Sequence, residues 1–143
     1  MHDFSFKRGK LYCENVSVAV LAKKHDTPLY VYSHATLTRN FRQLDAALSP
    51  VDHTIHFAVK ANSNLGVLRT LANAGSGFDI VSGGELQRVI AAGGDPSKCV
   101  FAGVGKTVEE IELALKKGIY AFSAESEPEL IRINQIARRL KKK

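Results

Sequence analysis

"HTIHFAVKANSNLGVLRTLANAGSGFDIVSGGELQRVIAAGG", residues 53–94, switches periodicity three times in 42 residues. "HTIHFAVK" is short, apolar and β-branched, and "NLGVLRTLANAG" repeats its apolar residues at helical spacing. "GFDIVS" and "GGELQRVIAAGG" then do the same again. Downstream, "CVFAG" precedes "TVEEIELALKKG", and "YAFSA" precedes "PELIRINQIARRL". Four β-α units in succession call for a parallel sheet, because each helix covers a sheet face while the chain returns to start the next strand.

The punctuation agrees with that reading. Ser82, Thr107 and Ser126 each stand three residues before a glutamate, Glu85, Glu110 and Glu129, as a capping box requires. Pro128 falls in a first helical turn, and Gly75, Gly93 and Gly118 fall where helices should stop. Residues 1–50 break the rhythm. "KLYCENVSV" reads as extended, "SVAVLAKKHD" as a short helix and "TPLYVYS" as a strand. "SHATLTRNFRQLDAAL" reads as a helix capped by Ser33, with Leu37, Phe41, Leu44 and Leu48 on one face.

Composition narrows the function classes. The 143 residues, 45% of them apolar, can bury a core. No apolar run reaches the roughly 18 residues of a membrane span, and "MHDFSFKRGK" has no apolar signal region, so a cytoplasmic location without membrane association is expected. The net charge of +6 is concentrated in Arg138, Arg139, Lys141, Lys142 and Lys143 at the end of the last helix. Such a tail is a solvated helix end, and no nucleic-acid partner is expected. Cys13 and Cys99 are too isolated for a disulfide framework or a zinc site, and no metal is expected.

Parallel strands carry their sites at their carboxyl ends. Lys60 closes the first such strand and Asp79 lies near the end of the second, so an amine and a carboxylate come to one rim. A lysine partly desolvated by Phe57 and Val59 can lose its proton and attack an aldehyde, and Asp79 can orient it. The residues leave other readings open: Lys60 as a lysine reaching to water, Asp79 as a loop cap, Glu85 as a pure helix cap. Lys106 is either a loop lysine or a group facing an anion. "SGG", residues 82–84, offers free N–H groups at a helix start, but the dinucleotide and P-loop fingerprints are absent.

"FAVKANSN", "GSGFDIVSGGELQRVIAAG" and the upstream "GKLYCENVSVAVLAKKHDTPLYVYS" together resemble the pyridoxal-phosphate decarboxylases of the alanine-racemase-like barrel fold. The resemblance runs through nearly the whole chain and is nearest to the branch acting on diaminopimelate. It implies the first half of an eightfold β/α barrel over residues 33–143, preceded by an arm, residues 1–32, that joins a separate β-domain. It implies pyridoxal 5'-phosphate held by Lys60, with Asp79 beside it and Glu85 in support, and a homodimer acting on a small amino acid. The implied reaction is decarboxylation of meso-diaminopimelate to L-lysine. Ornithine- or arginine-type decarboxylation and a non-catalytic carrier of the cofactor are the alternatives. The family's ring-stacking histidine, glycine-rich phosphate loop and acidic partner of the pyridine nitrogen would all follow residue 143, so the 143 residues alone are expected to be incomplete and inactive.

Overall fold

The computed structural model describes residues 2–142; Met1 and Lys143, the last charge of the basic tail, lie outside the described residues. The chain forms two compact units, Met1–Pro50 and Val51–Lys143.

In the first unit, β1 (Phe4–Lys7), β2 (Lys10–Cys13) and β3 (Val16–Ser17) form an antiparallel sheet in that order. Arg8 and Gly9, both at positive φ (50° and 74°), make the two-residue turn between Lys7 and Lys10. That backbone matches strand twist in a tight hairpin and suits glycine at its second position. Two helices follow, α1 (Val18–His25) and α2 (His34–Leu48). Ser33 caps α2 as expected, accepting from the Thr36 N–H.

Carboxylates fasten α2 to the arm. Glu14 accepts from Ser33 Oγ at 2.7 Å and from the Ala35 N–H at 2.9 Å, while Asp3 Oδ2 accepts from Thr36 Oγ1 and Arg39. The Ala35 N–H, then Ser33, hold Glu14 below its ordinary pKa; Thr36, then Arg39, do the same for Asp3. The apolar face of α2 buries none of its residues completely. Leu37, Phe41 and Leu48 are half-buried and Leu44 is exposed.

The second unit realises the β-α reading. Strands β4 (His56–Ala58), β5 (Gly77–Ile80), β6 (Cys99–Phe101) and β7 (Ala121–Phe122) pair in parallel, in sequence order. Between and after them run α3 (Leu65–Ala74), α4 (Gly83–Ala91), α5 (Val108–Lys117) and α6 (Glu127–Arg139). Gly75 and Gly118 end α3 and α5 in left-handed conformations, and Gly93 follows the end of α4 at positive φ. The basic end of α6 is solvated: Arg138, Arg139, Lys141 and Lys142 are exposed.

Register divides the sheet into two unlike faces. Phe57 pairs with Phe78, Phe78 with Cys99, Ile80 with Phe101 and Phe101 with Phe122. On this face Phe78, Ile80, Cys99 and Phe101 are fully buried. The opposite face carries Ala58, Asp79, Val100 and Ala121, all half-buried. A second layer of packing joins α5 to α6 through Ile111, Leu115, Ile133 and Ile136, with Phe122 against them.

Two strand expectations need correction. The first strand stops at Ala58, and Val59–Ala61 form a 3₁₀ turn, so Lys60 lies one turn past the strand and not at its last residue. Val59, fully buried, anchors that turn. "TPLYVYS", residues 27–33, forms no strand among the described residues. A strand is defined by its ladder, and no segment pairs with this one; Tyr30 is 85% exposed.

Candidate functional site

Lys60 rides on the 3₁₀ turn that follows β4, and the segment after it is tied down locally. The Asn62 N–H donates to the Val59 carbonyl, and Asn62 Oδ1 accepts from the Asn64 N–H. Asn64 in turn caps α3 through the Gly66 N–H, and Arg88 of α4 donates to the Ser63 carbonyl at 2.7 Å. The turn is therefore held at both ends while the Lys60 side chain stays exposed, without a hydrogen-bond or ion-pair partner among the described residues.

Asp79 comes alongside through the register. It pairs with Ala58, two residues before Lys60, and sits half-buried in the central part of the sheet. It too has no hydrogen-bond or ion-pair partner among the described residues. The structure thus places Lys60 on the turn after β4 and Asp79 on the neighbouring strand β5, without joining them directly.

Glu85 differs from both. Ser82 Oγ accepts from the Glu85 N–H as a cap should, but the Glu85 carboxylate reaches one residue further back, to the Val81 N–H at 2.7 Å. It holds the backbone that leaves β5 just after Asp79. Thr107 and Glu110 form the complete box, and Glu110 also reaches the Gly83 N–H at 2.8 Å. A Cβ at position 83 would lie 3.1 Å from Glu110 Cγ, close enough that Glu110 would have to shift by a few tenths of an ångström. Within "SGG" the Gly83 N–H is already taken by Glu110, and the flanking Val81 and Glu85 N–H groups are engaged by the chain's own side chains.

Lys106 faces no solvent anion. It is buried, donating to the carbonyls of Gly103 and Ser123 at 2.7 and 2.8 Å and to both oxygens of Glu129 at 3.3 Å. The thiols are equally withdrawn: burial raises the pKa of Cys13 and pushes that of Cys99 up to about 12. Among the described residues, no group of three or more His, Cys, Asp or Glu is placed to hold a metal, and no helix is long and apolar enough to cross a membrane.

An aldehyde must reach a lysine whose amine no other acceptor saturates; the partial desolvation expected of Lys60 is not seen, since its side chain is exposed. Lys60 has a reachable, unsaturated amine among the described residues, and Lys106 does not. Sequence reasoning had no access to the three side chains that brace this rim over long range: Arg88 to Ser63, Glu110 to Gly83, and Lys106 to Glu129. Only the local half of the Glu110 pattern, three residues after Thr107, is visible in the chain.

The family described as pyridoxal-dependent decarboxylase, pyridoxal binding domain, matches residues 34–142. The chain belongs to that family. It is 58% identical over 138 residues to the diaminopimelate decarboxylase of Vibrio cholerae, covering 96% of this chain and 33% of the relative. The diaminopimelate decarboxylase of Pseudomonas aeruginosa is 49% identical over 140 residues, covering 98% and 34%. Among solved structures, diaminopimelate decarboxylase from M. jannaschii in co-complex with L-lysine superimposes with a TM-score of 0.90 at 35% identity, covering 99% of this chain and 35% of that one. The chain spans about a third of the length of the relatives it matches. Its parallel sheet is that of the N-terminal part of their barrel.

Proposed function

We propose that the whole protein decarboxylates meso-diaminopimelate to L-lysine with pyridoxal phosphate, and that residues 33–143 supply the lysine half of its barrel. The observation that carries this reading is the pair of unlike lysines: Lys60 free at the rim on a braced turn, Lys106 locked away. The names of the similar proteins support the substrate.

Lys60 is the residue that holds the cofactor, through Nζ, and the exposed side chain on a fixed turn leaves that atom free to exchange partners. When bound, pyridoxal phosphate supplies an electron sink for the pair left behind as carbon dioxide departs. Asp79, on the strand next to β4, keeps a carboxylate beside the Lys60 amine and helps orient it. Glu85 acts through the backbone: by holding the Val81 N–H it fixes the end of β5 and with it Asp79. The separate antiparallel sheet of residues 4–17 supports an arm, residues 1–32, that contributes to a β-domain. A homodimer and a cytoplasmic location complete the reading, on the strength of the family resemblance, and the 143 residues alone are inactive.

The test is carbon dioxide release by the full-length protein supplied with meso-diaminopimelate, ornithine or arginine. Turnover of meso-diaminopimelate, falling by about a thousandfold or more in Lys60→Ala, is expected. Preference for ornithine or arginine would move the protein to another branch of the family. No release from any of the three would point to a carrier.

A further inference from the structure

Lys106 and Glu129 are the only buried charged residues among those described. Burying two charges is expensive and seldom the best route to stability, since apolar residues of similar volume often do as well. What the pair holds is therefore informative. The Lys106 ammonium has three protons, and they reach Gly103 O, Ser123 O and the Glu129 carboxylate. Glu129 Oε2 also accepts from the Glu125 N–H at 2.7 Å, and Glu125 Oε1 accepts from the Gly103 N–H at 3.3 Å. Gly103 is thus held at its carbonyl by Lys106 and at its N–H by Glu125.

Every group in this ring belongs to one of two segments or to the first turn of α6. One segment follows β6 and the other follows β7, both at the carboxyl edge where Lys60 follows β4. At about 4.8 Å per strand, β6 and β7 lie roughly 10 and 14 Å from β4. That is too far to touch atoms reacting at Lys60, and suited to the far end of a ligand held there.

We propose that Lys106 is a positioning residue, a buried clasp that makes the loops after β6 and β7 one rigid lip of the Lys60 site and so sets how tightly substrate is held. The substrate in this statement rests on the decarboxylase reading, whereas the clasp is read from contacts alone.

The test uses the full-length protein carrying Lys106→Met together with Glu129→Gln. The double variant removes both buried charges and keeps an amide oxygen to accept from Glu125, so it tests the clasp even where Lys106→Met alone fails to fold. Amide exchange over residues 102–107 and 123–126 should quicken together by about tenfold or more, with residues 60–64 unchanged. KM should rise about tenfold with kcat within about twofold, the pattern of lost uniform binding. Unchanged exchange in either loop would overturn the proposal, and so would a fall in kcat at constant KM, which is the mark of a smaller folded fraction only. A wild-type protein that releases no carbon dioxide sinks the decarboxylase reading, and the exchange measurement then decides the clasp by itself.

Discussion

The two compact units are stabilised in different ways. In the second, every helix buries at least two side chains, and the helix-facing side of the sheet is sealed by Phe78, Ile80, Cys99 and Phe101. In the first, neither α1 nor α2 buries a residue, and Phe6, Val20, Tyr30 and Tyr32 are exposed. What orders the first unit is polar: Glu14 and Asp3 grip the start of α2. Apolar burial contributes about 25 cal/mol per Å² removed from water, whereas exposed ionic contacts contribute little. The second unit is thus the rigid platform on which Lys60 is mounted, and the first is ordered chiefly by its ties.

Truncating a core aromatic exposes that difference most sharply. In the full-length protein, Phe101→Ala should cost about 3 to 5 kcal/mol by denaturant unfolding, because a fully buried ring leaves a cavity. Phe41→Ala on the half-buried face of α2 should cost clearly less, about 1 kcal/mol. Equal losses at the two positions would show that α2 is covered as thoroughly as the sheet and would break the contrast.

A smaller effect follows from acid. Asp3 and Glu14 both have folded pKa values below their unfolded ones. Their contribution is therefore complete above the unfolded values and is lost as pH falls through the lower folded values, below about pH 4. Protection factors of the Ala35 and Thr36 amides should drop on acidification before those of β5 and β6. Simultaneous loss across both units would mean that the carboxylate ties are not what holds the start of α2.

How far the sequence could be read divides along a similar line, between local and distant causes. The strand runs and helix periods of the four β-α units and the caps at Ser33, Ser82, Thr107 and Ser126 are set by neighbours in the chain, and these are present. Lys60 is expected at the last residue of its strand, an amine at the sheet rim, and its role as cofactor lysine comes from the family resemblance. Its 3₁₀ turn is not expected, because the strand and the turn share the run "FAVK" and only the burial of Val59 decides where one gives way to the other. Glu85 reads as a cap in the sequence, and its reach to Val81 in place of Ser82 depends on the turn it closes. Lys106 and Glu129, 23 residues apart, and Gly83 and Glu110, 27 apart, meet only once the sheet has formed. The capping-box spacing marks Glu110 and Glu129 as cap residues, but nothing local marks these distant partners. "TPLYVYS" has strand composition without a partner strand, which is why composition alone misplaced it.

The most direct test is the identity of the lysine that takes up the cofactor. Full-length protein would be mixed with pyridoxal phosphate, reduced with borohydride and digested for peptide mapping. The label is predicted on Lys60, whose amine is exposed at the rim and unpartnered among the described residues, and not on Lys106, whose amine is saturated by Gly103, Ser123 and Glu129. Label on Lys106, or label spread among surface lysines with Lys60 unmodified, would contradict the assignment of the rim turn as the cofactor site.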